Sequence, residues 1–161
     1  MAEVVSDAGP LIAFGRIQRL ELLPQVLGKV VVPAVVSQDY LADPRRPGAR
    51  AIDAARHAGL IACVPDPEAS EPGFAVLAAG ESAAIGLAMQ RSVAVLIDEK
   101  LGRRIAANLG VTVIGSAGVL LAASRRGLVE SVRPIIDAFA ANGYRFSAEL
   151  VRAVLVHAGE A

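Results

Sequence analysis

The sequence predicts a three-layer α/β fold, with a central parallel sheet of four to five strands and helices on both faces, formed as one domain over residues 1–161. Three observations lead there. Short β-rich apolar runs alternate with longer segments of helical spacing, the order that builds a parallel sheet through right-handed crossovers. Hydrophobic residues make up 54% of the chain and are mostly Ala, Val, Leu and Ile, while aromatics are only 4% and Trp is absent; aliphatic runs of this kind suit strands buried between helices. A length of 161 residues fits a single compact core.

The elements follow in order. Glu3 to Ser6 reads as a strand ending at Asp7, and Leu11 to Leu23 as one helix, with Leu11, Ile12, Phe14, Ile17, Leu20, Leu22 and Leu23 at helical spacing. Lys29 to Val32 is a strand closed by Pro33, and Ala34 to Leu41 a helix with Pro33 near its first turn. Asp43 to Gly48 is a turn, Ala49 to Ala58 a helix, Leu60 to Val64 a strand and Pro65 to Gly73 a polar loop. Gly80 to Arg91 is a helix, Val93 to Ile97 a strand ending at Asp98, Leu101 to Leu109 a helix stopped by Gly110, and Val111 to Ile114 the last strand. Helices are expected over Ala117 to Arg126, Val129 to Asn142 and Ala148 to His157, the last capped by Ser147.

Sixteen basic residues balance sixteen acidic ones, so net charge announces no polyanionic partner. Only Lys29 and Lys100 are lysines; the remaining bases are arginines, whose forked guanidinium grips phosphate. Codon bias of a GC-rich genome is a simpler source for much of that preference. The single cysteine, Cys63, cannot form an internal disulfide and reads as a buried strand residue. That usage, the lack of a signal peptide and the lack of a long apolar run point to a cytoplasmic protein without a membrane partner.

In parallel α/β sheets ligands bind beyond the carboxyl ends of the strands, where the strand order reverses. Asp7 follows the first strand, and Asp98, with Glu99 beside it, follows the strand Val93 to Ile97. If those strands are neighbours, both carboxylates project from one edge. Asp39 lies in the helix after the second strand, and Glu81 opens the helix feeding the Asp98 strand. Gathered carboxylates must take up protons or bind a cation. All-oxygen donors of this kind suit Mg2+ or Mn2+. Each acid also has a duller reading: Asp7 and Asp98 as helix caps, Glu81 as a complement to a helix dipole, and Asp39 as a solvated helix residue. The joint placement is what favours function.

These residues and their surroundings resemble the PIN domain. Val5-Ser6-Asp7-Ala8-Gly9-Pro10-Leu11-Ile12 resembles its opening motif, and Val32-Pro33-Ala34-Val35-Val36-Ser37-Gln38-Asp39 its second, in which Asp39 stands where Glu is usual. Gly80-Glu81-Ser82-Ala83-Ala84-Ile85 is similar to the third, and Leu96-Ile97-Asp98-Glu99-Lys100-Leu101-Gly102-Arg103 to the fourth. Val113 to Leu121 matches a later "V-I-G-x-x-G-V-L-L" pattern of short prokaryotic members, so the resemblance covers nearly the whole chain.

The resemblance implies a PIN-like (Rossmann-like) fold and a Mg2+- or Mn2+-dependent ribonuclease of the VapC-like toxin type, acting on single-stranded RNA. It implies Asp7, Asp39, Glu81 and Asp98 as catalytic, metal-holding acids, with Glu99 as a substitute for Asp39. It also implies a homodimer blocked by a cognate antitoxin.

Lys100, Arg103 and Arg104 follow Asp98 closely and are candidate contacts for RNA phosphates, as is the hydroxyl of Ser6. The same bases also read as a cationic helix face, and Ser6 as a partner for local backbone. Arg45, Arg46 and Arg50 read as solvated surface with the potential to extend the groove. His57 and His157 are isolated, which argues against zinc. The alternative from another class is a non-catalytic α/β module that binds a nucleotide or a protein at the same edge. A phosphoacceptor receiver is disfavoured, because Ser6-Asp7-Ala8 supplies no acidic pair at the first strand end.

Overall fold

The computed structural model describes residues 2–161, and for Asp39 it describes the backbone alone. Five strands form one sheet: β1 (Glu3–Ser6), β2 (Lys29–Pro33), β3 (Ile61–Val64), β4 (Ala94–Leu96) and β5 (Val113–Ile114). Their spatial order is β3-β2-β1-β4-β5 and every pairing is parallel. Val4 and Val5 of β1 pair with Val30 and Val31 on one side and with Ala94 and Val95 on the other. The chain fills the sheet from β1 toward β3 and then returns to lay β4 on the opposite side of β1. The switch point therefore falls between β1 and β4.

Period-two alternation divides the strand residues between two apolar clusters, as strand geometry requires. Val4, Val30, Val32 and Leu96 pack with residues of α1 (Ala8–Arg16), α2 (Leu22–Leu27), α4 (Ala49–His57), α7 (Ser116–Arg125), α8 (Arg133–Ala141) and α9 (Ala148–His157). Val5, Val31, Val95 and Ile97 pack with residues of α5 (Ala79–Arg91) and α6 (Lys100–Asn108). Both faces of the sheet are thus covered, giving the three layers. The remaining helix, α3 (Ala34–Leu41), leaves the end of β2, and its Val35 amide donates to the carboxylate of Asp66 at 2.8 Å.

Three sequence expectations change. The helix expected over Leu11 to Leu23 is two helices, because Gln18 turns into the left-handed region at φ 59°. The Arg19 amide then donates to the Phe14 carbonyl (2.9 Å) and the Gln18 amide to that of Gly15 (3.1 Å), a Schellman closure made without glycine. The helix expected from Val129 begins only at Arg133, with Pro134 in its first turn; the Glu160 carboxylate accepts from the amides of Val132 (2.7 Å) and Arg133 (3.2 Å) and fixes that start. Cys63 is exposed rather than buried, because β3 is an edge strand. Among the described residues, no helix is long and apolar enough to cross a membrane.

Candidate active site

Asp7 sits one residue beyond β1, its amide donating to the Leu96 carbonyl at 3.0 Å and so extending the ladder toward β4. Its backbone is extended and it occupies the N-cap position of α1, yet its side chain makes no cap hydrogen bond. Asp98 lies two residues beyond β4. Adjacent strands that end together bring the two carboxylates to one edge, and a cleft of about 1510 Å³ opens there. Asp7, Glu81, Asp98 and Glu99 all line it. Glu81 comes from the first turn of α5. The side chain of Asp39 lies outside the described residues; its backbone is in α3.

Burial raises the pKa of Asp7 above its ordinary value, and the neighbouring charges of Asp98 and Glu99 push the same way; the Ala8 and Gly9 amides oppose them without prevailing. Glu81 is raised by burial and by Asp7 and Glu99. Like charges held this close favour a bound proton or a cation. The close approach is visible at Gly102, where a Cβ atom would lie 3.4 Å from Glu99 Oε2 and 3.6 Å from Glu81 Oε2.

Two of the acids are already oriented. Asp98 Oδ1 accepts the Ser116 amide at 2.8 Å, and Oδ2 accepts the hydroxyls of Ser116 and Tyr144. Glu99, rather than Asp98, caps α6: its carboxylate accepts from Leu101 N (3.0 Å) and Gly102 N (2.6 Å), which holds its pKa below the usual range.

Tyr144 is the participant that sequence reading missed. It sits between α8 and α9, and its ring packs edge-to-face on Phe139 (5.8 Å between centroids) and Phe146 (6.1 Å). Burial and Asp98 push its phenol far above the ordinary tyrosine value, so it remains a hydrogen-bond donor. The available signal was scarcity: the chain has only two tyrosines. Ser116 opens α7, and its contact with Asp98 was not legible in the sequence.

Of the basic candidates, Lys100, Arg103 and Arg46 line the cleft. The Arg103 guanidinium donates to the Ile97 carbonyl at 2.9 Å, and its Nη1 lies 2.6 Å from where a Cβ on Gly115 would stand. Arg104 is exposed and lies outside the cleft lining. Ser6 is fully buried and its hydroxyl donates to the Asp7 carbonyl at 2.9 Å; it supports local backbone and is not accessible to a phosphate.

Oxygen donors on acidic side chains, with neither His nor Cys lining the cleft, suit a hard divalent cation. Among the described residues, no three such side chains converge tightly enough to cage an ion unaided. That pattern is compatible with Mg2+, which is held by few carboxylates and keeps water and substrate phosphate as its other ligands.

Sheet order and cleft together define a three-layer α/β protein with an acidic site at the switch point of a parallel sheet. The chain belongs to the PIN-domain family: a family model described as a PIN domain matches residues 3–160. PIN domains are in general metal-dependent nucleases. A search among curated proteins returns no match.

Proposed function

We propose that this PIN domain is an endoribonuclease that hydrolyses phosphodiester bonds of single-stranded RNA with Mg2+ or Mn2+, as the toxin of a toxin–antitoxin pair. The observation that carries the nuclease reading is the convergence of Asp7, Glu81, Asp98 and Glu99 on one cleft at the sheet's switch point. The RNA reading draws on the arginines and lysine beside those acids, which supply positive charge to a phosphate backbone despite a net charge of zero. The toxin assignment, a cognate antitoxin and a homodimer rest on the sequence resemblance, and a cytoplasmic location rests on cysteine usage and the lack of a long apolar run.

In this reading Asp7 and Asp98 would hold the cation at the sheet edge, and Glu81 and Glu99, which line the same cleft, would add to the negative field, with Asp39 of α3 as a further candidate. A cation held by these residues would lower the pKa of bound water and stabilise charge on the phosphate under attack. Ser116 and Tyr144 fix the rotamer of Asp98. Lys100 and Arg103 receive phosphate oxygens of the strand. Water is the nucleophile, and no protein side chain becomes covalently attached.

The test is cleavage of single-stranded RNA oligonucleotides of mixed sequence by the purified chain with millimolar MnCl2 or MgCl2. Cleavage that stops with EDTA and falls by a hundredfold or more in Asp98→Asn is expected. Intact RNA under all conditions would overturn the reading.

One observation favours the non-catalytic alternative: Asp98 and Glu99 already accept protein hydrogen bonds. On that reading divalent cations leave the melting temperature unchanged.

A further inference from the structure

We propose that a second depression, lined by Arg16, Arg46 and Arg50, is a phosphate-binding site that carries the single-stranded RNA backbone away from the acidic cleft. The proposal rests on the ribonuclease reading for the identity of the strand, but its geometry stands apart from the acids.

The depression has a volume of about 390 Å³ and lies between the end of α1, the α3–α4 connection and the start of α4. Arg16 is in the last turn of α1 and Arg50 in the first turn of α4. Arg46 comes from the connection, and it lines both this depression and the acidic cleft. The two cavities therefore meet at Arg46, and on this proposal a strand leaving one passes its guanidinium on the way into the other.

Each arginine is exposed, and none pairs with a carboxylate among the described residues. Arg45, next in sequence, behaves differently: it is engaged by Asp43 at 3.0 Å and lines neither cavity. The guanidinium of Arg46 lies over the Tyr40 ring, 5.4 Å from its centroid. The Tyr40 hydroxyl donates to the Pro47 carbonyl, which ties the connection to α3. Arg46 is thus presented by a fastened loop. Arg50 occupies a first helical turn that contains no acid, a placement the helix dipole opposes. An anion bound between the three guanidinium groups would remove that conflict. Three positive charges along one open trough match a chain of negatively charged phosphodiesters.

The experiment uses a fluorescently labelled oligouridylate of twelve nucleotides, another of four, and the full chain carrying Asp98→Asn, which keeps the strand intact. Anisotropy is measured across a salt series. Arg16→Ala combined with Arg50→Ala is expected to weaken the longer strand by about tenfold. It is also expected to lower the slope of log K against log salt by about 1.4, because two phosphates of a single strand are no longer neutralised. The shorter strand, filling only the cleft, is expected to change by less than threefold. Arg16→Lys with Arg50→Lys keeps the charge and is expected to retain most of the affinity, which excludes misfolding as the cause. Unchanged affinity and slope for the longer strand would overturn the proposal. If the unsubstituted chain cleaves RNA while both arginine variants bind like their parent, this site fails and the nuclease reading survives. If it cleaves nothing yet binds the longer strand through these arginines, the nuclease reading fails and the site survives. A chain that neither cleaves nor binds ends both.

Discussion

The hydroxyl of Tyr144 donates to Oδ2 of Asp98 across 46 positions of sequence, so a residue between α8 and α9 fixes a carboxylate at the end of β4. Ser116, at the start of α7, holds the same carboxylate through both its amide and its hydroxyl. Asp98 is oriented before any cation or substrate arrives, and the orientation comes from the C-terminal third of the fold rather than from the strand that carries it. Sites held by such supporting contacts are preorganised, and loosening a support degrades the site without dissolving the fold.

Tyr144→Phe tests that support. The ring keeps its packing on Phe139 and Phe146 and gives up only the donor. Removing a hydrogen bond to a charged group costs about 1.5–3 kcal/mol at most, and the remaining Ser116 hydrogen bonds soften that. Urea unfolding should show a loss at the low end of this range, while kcat on RNA falls several-fold and KM stays nearly constant. Tyr144→Ala should cost more than Tyr144→Phe, since it also opens a gap beside Phe139. Equal kcat for Tyr144→Phe and the parent would remove Tyr144 from the positioning role.

Asp7 links the site to pH. Its folded pKa is raised by burial first and by Asp98 and Glu99 after it, whereas in the unfolded chain it ionises in the ordinary range. Folding therefore favours the protonated form. Its contribution is fully present below the unfolded value and is lost as pH rises through the folded value. Asp7→Asn keeps a neutral side chain at every pH. Near pH 7 and without divalent cations it should melt above the parent by about 2–4 °C, a shift worth roughly 1 kcal/mol in a chain of this size. The gap should close below pH 4. Manganese should raise the melting temperature of the parent more than that of the variant. A variant that melts below the parent at pH 7 and gains equally from manganese would contradict the electrostatic account.

Much of this site was legible in sequence because strand ends announce themselves. The Val-rich runs stop at Asp7 and Asp98, and neighbouring parallel strands then bring the two acids together. Glu81 was legible as an acid in a first helical turn. Tyr144 was not, because nothing local to Asn142-Gly143-Tyr144 distinguishes a helix connection from one that reaches a distant carboxylate. The break at Gln18 was hidden for a related reason: helical spacing continues to Leu23, and the left-handed turn uses neither Gly nor Pro. Cys63 misled because an apolar run does not say whether its strand is central or at an edge.

Gly115 offers a steric test. A Cβ there would stand 2.6 Å from Arg103 Nη1 and 3.1 Å from Asp98 Oδ1. Arg103 is tethered to the Ile97 carbonyl, so it cannot withdraw freely. Gly115→Ala should therefore displace Asp98 or break the tether, costing about 1–3 kcal/mol and lowering activity beyond the stability loss. Gly118, three residues on in α7, meets nothing within 4 Å. Gly118→Ala should stabilise by up to about 1 kcal/mol through helix propensity alone. Thermal melts of the two variants beside RNA cleavage rates separate the effects, and a harmless Gly115→Ala would show that the turn is not tight.

Glu99 combines two roles that substitution can part. Its carboxylate caps α6 through Leu101 N and Gly102 N, and its charge adds to the field that raises Glu81 and Asp7. Serine is a good N-cap without charge, whereas alanine is a poor one. Glu99→Ala should lose about 1 kcal/mol of stability, and Glu99→Ser should recover most of it. Because both Glu99 oxygens already accept backbone amides, Glu99→Ser should keep most of the manganese-induced rise in melting temperature. Among the described residues Glu81 has no such backbone partner, and Glu81→Gln should lose more of that rise. The reverse ranking of Glu99→Ser and Glu81→Gln would make Glu99 the stronger cation ligand and its capping role secondary.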